Sequence, residues 1–173
     1  LATETLGRTS VILTDKTGTL TQAKIQVSKI VTAHETIHHN GERLQKENLD
    51  SEATHILILK IGIFTSEAFV ENIETGLEEW VPRGKPTDQA FLMAGIQAGL
   101  EPTKLFGEAP RIDFLPFSSE RKFAASLHKT DSKSRLYIAG APELLLEASH
   151  RWYDEGVVRS LTPAIKKESL ERM

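Results

Sequence analysis

The chain has 173 residues, enough for one domain of ordinary size or for one domain with a fragment of another. Hydrophobic residues make up 39% and charged residues 26%, so a packed core is expected and a disordered chain is not. A net charge of −3 without a lysine- or arginine-rich block argues against a nucleic-acid or anionic-membrane surface, and the absence of cysteine excludes disulfides and thiolate metal sites.

In chain order, Val11-Ile12-Leu13 reads as a buried strand that delivers Asp15 to a loop at its carboxyl end, the edge where open α/β sheets bind ligands. Lys24 to Thr32 alternates and reads as a second strand, followed by a polar hairpin tip or loop from His34 to Glu47 with Asn40-Gly41 as its turn signal. Asp50-Ser51 offers a cap to a helix over Glu52 to Asn72, with Ile56, Leu59 and Ile63 at helical spacing. That helix holds the most apolar run, Ile56 to Phe64, which contains Lys60 and falls short of the roughly 20 apolar residues a bilayer span needs. Leu1 opens a polar stretch, so no signal peptide is expected.

Thr75 to Lys85 reads as a connection. Thr87 caps a helix from Asp88 to Ala98 that Gly99 ends. Strands follow at Arg111 to Phe117, Lys122 to His128 and Ser134 to Ala139, then a helix from Pro142 to Ser149 and a final helix from Leu161 to Met173.

One motif carries chemistry. Asp15-Lys16-Thr17-Gly18-Thr19-Leu20-Thr21 spells DKTGTLT, a seven-residue string whose chance occurrence at a fixed position is on the order of one in a billion under uniform usage. A strand-end carboxylate such as Asp15 can attack the terminal phosphoryl group of ATP and form an acyl phosphate. The backbone of the following loop, with Gly18 permitting the turn, can hold phosphoryl oxygens, and the hydroxyls of Thr17 and Thr19 add donors. The plain alternative for Asp15 is a strand-end aspartate in an Asx turn.

DKTGTLT resembles the phosphorylation signature of P-type ATPases. The resemblance implies an α+β fold, an antiparallel sheet flanked by helices over 23–173, preceded over 1–22 by a remnant strand of a haloacid-dehalogenase-like α/β phosphorylation domain. Asp15, Lys16, Thr17 and Thr19 would then be catalytic, with Mg²⁺ held by Asp15 and the backbone carbonyl of Thr17. Haloacid-dehalogenase phosphatases usually place a second aspartate two residues after the nucleophile. Threonine stands there, which favours a long-lived phosphoenzyme over a phosphatase.

Three later segments resemble the nucleotide-binding domain of the cation-pumping branch, in the expected order. Lys85-Pro86-Thr87-Asp88-Gln89-Ala90 implies that Asp88 contacts adenine, although the family more often has glutamate there. Phe117-Ser118-Ser119-Glu120-Arg121-Lys122 implies that Phe117 stacks on the base, with Ser118 beside it and Lys122 near the phosphates. Gly140-Ala141-Pro142-Glu143 resembles the end of the family's Lys-Gly-Ala-Pro-Glu, with Gly140 and Ala141 in the pocket and Ala139 standing where the lysine would be.

His34, His38 and His39 lie in a polar loop without an evident fourth ligand, so a metal site is not expected there. The His-Pro pair of heavy-metal pumps is absent, which points to a calcium-, sodium-, proton- or magnesium-type pump. The implied partners are ATP and the rest of one protein: the remainder of the phosphorylation domain, an actuator domain and transmembrane helices, with this chain on the cytoplasmic face. A stand-alone nucleotide-binding module that does no chemistry stays open beside the pump.

Overall fold

The computed structural model describes residues 10–11, 13–16, 19–22, 24–38, 53–71, 80–130, 133–154 and 156–172. Among them the chain is α+β with antiparallel strand pairing. The first hairpin joins β1 (Lys29–Val31) to β2 (Thr36–His38), with Ile30 opposite Ile37. Helix α1 (Thr54–Phe64) follows, and β3 (Phe69–Glu71) pairs with β4 (Val81–Arg83). Helices α2 (Pro86–Gln97) and α3 (Pro102–Glu108) lead into a three-stranded sheet of β5 (Arg111–Leu115), β6 (Phe123–Lys129) and β7 (Ser134–Gly140), with β6 central. The chain continues through α4 (Pro142–Ala148), the hairpin of β8 (Arg151–Asp154) with β9 (Val157–Ser160), and α5 (Pro163–Glu171).

Proline sets the helix starts. Pro86, Pro102, Pro142 and Pro163 each sit in the first turn, where the missing N–H costs nothing and the fixed φ is already helical. Helix α2 therefore begins at Pro86, ahead of the start the Thr87 cap predicts, and Thr87 lies within its first turn. Its end follows expectation. Gly99, at φ 82°, donates to the Ile96 carbonyl (2.9 Å), and Leu100 donates to Gly95 (2.9 Å), a Schellman closure.

The core has two connected parts. Ile56 and Leu59 of α1 pack with Ile30, Ala94 and Ala98, covered by Val27, Ile37, Ala53 and Leu100. At the other end of α1, Phe64 stacks on Tyr137 of β7 (centroids 4.8 Å apart) and meets Phe106 edge-on (5.4 Å). His128 of β6 lies fully buried against that ring at 4.2 Å. Its Nδ1 donates to the Ala109 carbonyl at 2.7 Å, since a carbonyl can only accept, and its Nε2 contacts the Ser126 hydroxyl at 2.7 Å. Both ring nitrogens are thus satisfied inside the core, as burial requires.

Several expectations need correction. The buried strand at Val11-Ile12-Leu13 is not formed: Val11 and Leu13 lie outside regular structure and are 71% and 94% exposed, while Ile12 is outside the described residues. The long helix over 52–72 stops at Phe64, and Phe69 begins a strand. Its expected cap, Asp50-Ser51, lies outside the described residues, and Ala53 occupies the N-cap position. The strand read over 24–32 is regular only at Lys29–Val31. Among the described residues, the single expected sheet is replaced by separate antiparallel sheets.

Candidate functional site

The residues that combine into a site lie where the C-terminal end of α1 and the first turn of α2 face the β5–β6–β7 sheet. A cleft of about 320 Å³ opens there, lined by Thr65 and Glu67 after α1, Lys85, Thr87, Asp88 and Phe91 of α2 and its approach, and Phe114, Phe117, Ala124, Ala139 and Gly140 from the sheet side. That volume falls at the small end of the range for small-molecule sites, roughly 300–1,000 Å³. A larger hollow, about 600 Å³, separates the β1–β2 turn from α4 and α5. Chemistry rather than size singles out the smaller one: three phenyl rings, one ammonium and two carboxylates converge on it.

Each wall has a local cause. Phe117 is carried by a tight turn in which Lys122 N–H donates to Ser118 O (2.8 Å), Arg121 N–H to Ser118 Oγ (3.2 Å) and the Arg121 guanidinium to Pro116 O (2.9 Å). The turn leaves Phe117 54% exposed at the edge of the cleft. Asp88 Oδ2 accepts from the Glu67 N–H at 3.2 Å, which ties α2 to the segment after α1. Glu67 in turn lies 3.6 Å from Lys85 Nζ, a half-exposed pair that adds under about 1 kcal/mol.

Gly140 closes the floor. It pairs with Phe123, and a Cβ at this position would fall on the Lys122 carbonyl and 2.7 Å from Phe123 Cα, so only glycine fits. Ala139 does line the cleft, opposite Ala124 in the sheet register.

Asp88, Phe117 and Gly140 are thus brought together. Lys122, Ser118 and Ala141 do not line the cleft. Lys122 holds a left-handed backbone (φ 58°), its side chain is exposed, and its carbonyl accepts the Ala141 N–H at 2.9 Å. That bond takes the one backbone donor Ala141 has. Thr65, Glu67, Lys85, Phe91, Phe114 and Ala124 also line the cleft, without having been singled out from sequence.

The DKTGTLT segment is separate from the cleft lining. Thr17 and Gly18 lie outside the described residues. Around them Lys16 O accepts from Leu20 N (3.0 Å) and Thr21 N (3.1 Å), so the motif closes on itself as a loop. Asp15 and Thr19 are exposed. Among the described residues there is no group of three His, Asp or Glu side chains that could hold a metal ion, and no helix long and apolar enough to cross a membrane.

The sequence model of the family described as P-type ATPase, cytoplasmic domain N, matches residues 54–173, more than half of the chain. The chain belongs to the P-type ATPase family. The matched stretch holds every residue that lines the cleft and excludes the DKTGTLT loop. Among curated P-type relatives, the chain is 32% identical to the probable cation-transporting ATPase F of Mycobacterium tuberculosis (strain H37Rv), over 84% of this chain and 17% of that protein. It is 30% identical to calcium-transporting ATPase 1 of Lactococcus lactis, over 96% of this chain and 18% of that one. With the calcium-transporting ATPase of Bacillus subtilis it shares 31% identity, over 90% and 18%. The chain therefore spans less than a fifth of the length of these relatives.

Proposed function

We propose that this chain is the ATP-binding part of a P-type cation-transporting ATPase, set on the cytoplasmic face of a membrane, in which Asp15 accepts the γ-phosphoryl group. The observation that carries the reading is the convergence of Phe117, Asp88, Ala139 and Gly140 on one cleft, in a chain that also holds an uninterrupted DKTGTLT. The domain boundary goes with it: 1–22 as the start of the phosphorylation domain, 23–173 as the nucleotide-binding domain.

The cleft's chemistry fits a nucleotide. An adenine ring stacks on Phe117, with Phe91 and Phe114 supplying further apolar wall. The Asp88 carboxylate, already held by the Glu67 N–H, accepts from the exocyclic amine of the base. Lys85 stands inside the cleft where the family lysine is replaced by Ala139, and Lys122 stands outside it, exposed, where it can reach phosphates as a point charge. Gly140 and Ala141 contribute closeness of backbone, since Ala141 spends its N–H on Lys122.

For the transfer, a carboxylate oxygen of Asp15 bonds to the γ-phosphorus as the bond from that phosphorus to the bridging oxygen breaks and ADP leaves. Lys16 and Thr19, with the loop's N–H groups, stabilise the charge on the transferring oxygens. Mg²⁺ would be held by Asp15 and the Thr17 carbonyl together with ligands from the rest of the protein, and would neutralise phosphate charge.

A titration of the ¹⁵N-labelled chain with ATP tests the cleft. The expected result is saturable shifts at Thr65, Glu67, Asp88, Phe117 and Gly140. Shifts confined to the 600 Å³ hollow, or none at millimolar ATP, would overturn the assignment.

A further inference from the structure

A half-buried cation outside the family-derived site stands behind one wall of the cleft. Arg111 opens β5, and its Nη2 donates to two backbone carbonyls at the end of α1, Phe64 O at 2.7 Å and Ser66 O at 2.9 Å. The guanidinium lies over Phe106 (5.1 Å to the ring centroid) and over Phe114 (4.4 Å). Burial pulls its pKa below the ordinary arginine value, and the nearby Glu67 carboxylate opposes that pull.

The sheet makes an exception to place it. Arg111 pairs with His128 and Asp113 with Leu127, so Ile112 is an extra residue in β5, a bulge. Residues three apart on a regular strand point to opposite faces. The bulge puts Arg111 on the same face as Phe114, which itself lines the cleft.

From Arg111 the bonds run on to the site. The carbonyls it holds flank Thr65 and precede Glu67, and both of those residues line the cleft. The Glu67 N–H then fixes Asp88 Oδ2 at 3.2 Å. Thr65 and Ser66 are tied back to α1 by their own hydroxyls, Thr65 Oγ1 to Ile61 O (2.7 Å) and Ser66 Oγ to Ile63 O (3.1 Å), but that local bonding does not reach Glu67. The Arg111 Nη2 that bonds the carbonyls on either side of Thr65 fixes the path onward to Glu67.

We propose that Arg111 is a positioning residue for nucleotide binding: it holds the Thr65–Glu67 wall, and through the Glu67 N–H it aims Asp88 at the base. The proposal rests on the reading of the cleft as the nucleotide site. It assigns Arg111 no contact with the ligand.

The test uses the whole 173-residue chain, with adenosine and ATP as separate probes. Arg111→Lys keeps the charge and loses the planar guanidinium that bonds both carbonyls while lying over Phe106 and Phe114. It should weaken both probes by a similar factor of roughly tenfold, as expected for losing a charged hydrogen bond at the base end. The Glu67 amide should exchange faster with solvent in the same variant. Phe117→Ala serves as the control for the site itself. If Phe117→Ala leaves ATP affinity unchanged, the nucleotide reading fails. If it weakens ATP while a folded Arg111→Lys binds both probes as the parent does, Arg111 is a staple of the core only and the proposal is wrong. A measurement on the parent chain guards against a variant that does not fold. Arg111 Nε is buried without a hydrogen-bond partner, so its N–H reports on its surroundings. Its resonance should shift on saturation with adenosine, and an unmoved resonance would overturn the proposal.

Discussion

The DKTGTLT loop and the cleft carry the two halves of the proposed chemistry, and they are built in opposite ways. The cleft is held by long-range bonds: Arg111 to Phe64 and Ser66, Glu67 to Asp88, Ala141 to Lys122, with the Phe64–His128–Tyr137 cluster behind them. The loop is held by its own neighbours, chiefly Lys16 O with Leu20 and Thr21. Upstream of it, Val11 and Leu13 present 71% and 94% of their surface to water. A β-branched run that reads as a buried strand and is not buried lacks a partner surface among the described residues. The contrast separates two tasks. On the proposed function, the nucleotide grip is local to this fold, whereas phosphoryl transfer draws on groups beyond those gathered at Asp15 among the described residues.

The largest effect expected is at the loop. In the whole protein, Asp15→Asn should abolish acid-stable labelling from γ-labelled ATP, while ATP titration of the cleft stays as in the parent. Label that survives would mean that another residue is the nucleophile. On the cleft side, His128→Leu leaves the Ala109 carbonyl and the Ser126 hydroxyl unpartnered in the core and should cost about 2–4 kcal/mol, read from denaturant unfolding. An unfolding midpoint that did not move would show that the cleft's support is not the buried cluster. Ala139→Lys adds an ammonium to a residue that lines the cleft, and should tighten ATP about tenfold if a desolvated charged bond forms, by calorimetry. Unchanged affinity would place the phosphates away from β7. The smallest effect should be Leu13→Ser, within about 0.5 kcal/mol of the parent in stability, because that side chain is already in water. A marked loss there would erase the distinction between the two regions.

The parts legible in the sequence are those whose cause is local. The strands read from the sequence match β5, β6 and β7 to within two residues, and proline marks the start of α4. The end of α1 is only half legible: the Thr65 and Ser66 hydroxyls bond back to Ile61 O and Ile63 O, but the donor to Phe64 O, Arg111, is 47 residues away. The Ala68–Val70 apolar group continues a helical pattern on paper, yet Val70 is buried as part of a strand opposite Pro82. Helix α3 and the β8–β9 hairpin were legible in principle: Pro102 is a start signal, and Gly156 (φ 87°) sits in the turn between Trp152-Tyr153 and Val157-Val158. At the site, family motifs lead to Asp88, Phe117 and Gly140. They do not lead to Thr65, Glu67 or Phe114, which lack a motif and owe their places to the α1 terminus and the bulge at Ile112.

Gly140 has a consequence for how this cleft can change over generations. Side chains at 139 and 117 enter open space, so replacements there grade smoothly with size and charge. At 140 the obstacle is main chain, the Lys122 carbonyl and Phe123 Cα, and the first carbon of any replacement meets it. Alanine and tryptophan fail there for the same reason and at the same atom. Drift can retune the cleft's affinity through its neighbours, but a lineage that loses this glycine must first part β6 from β7.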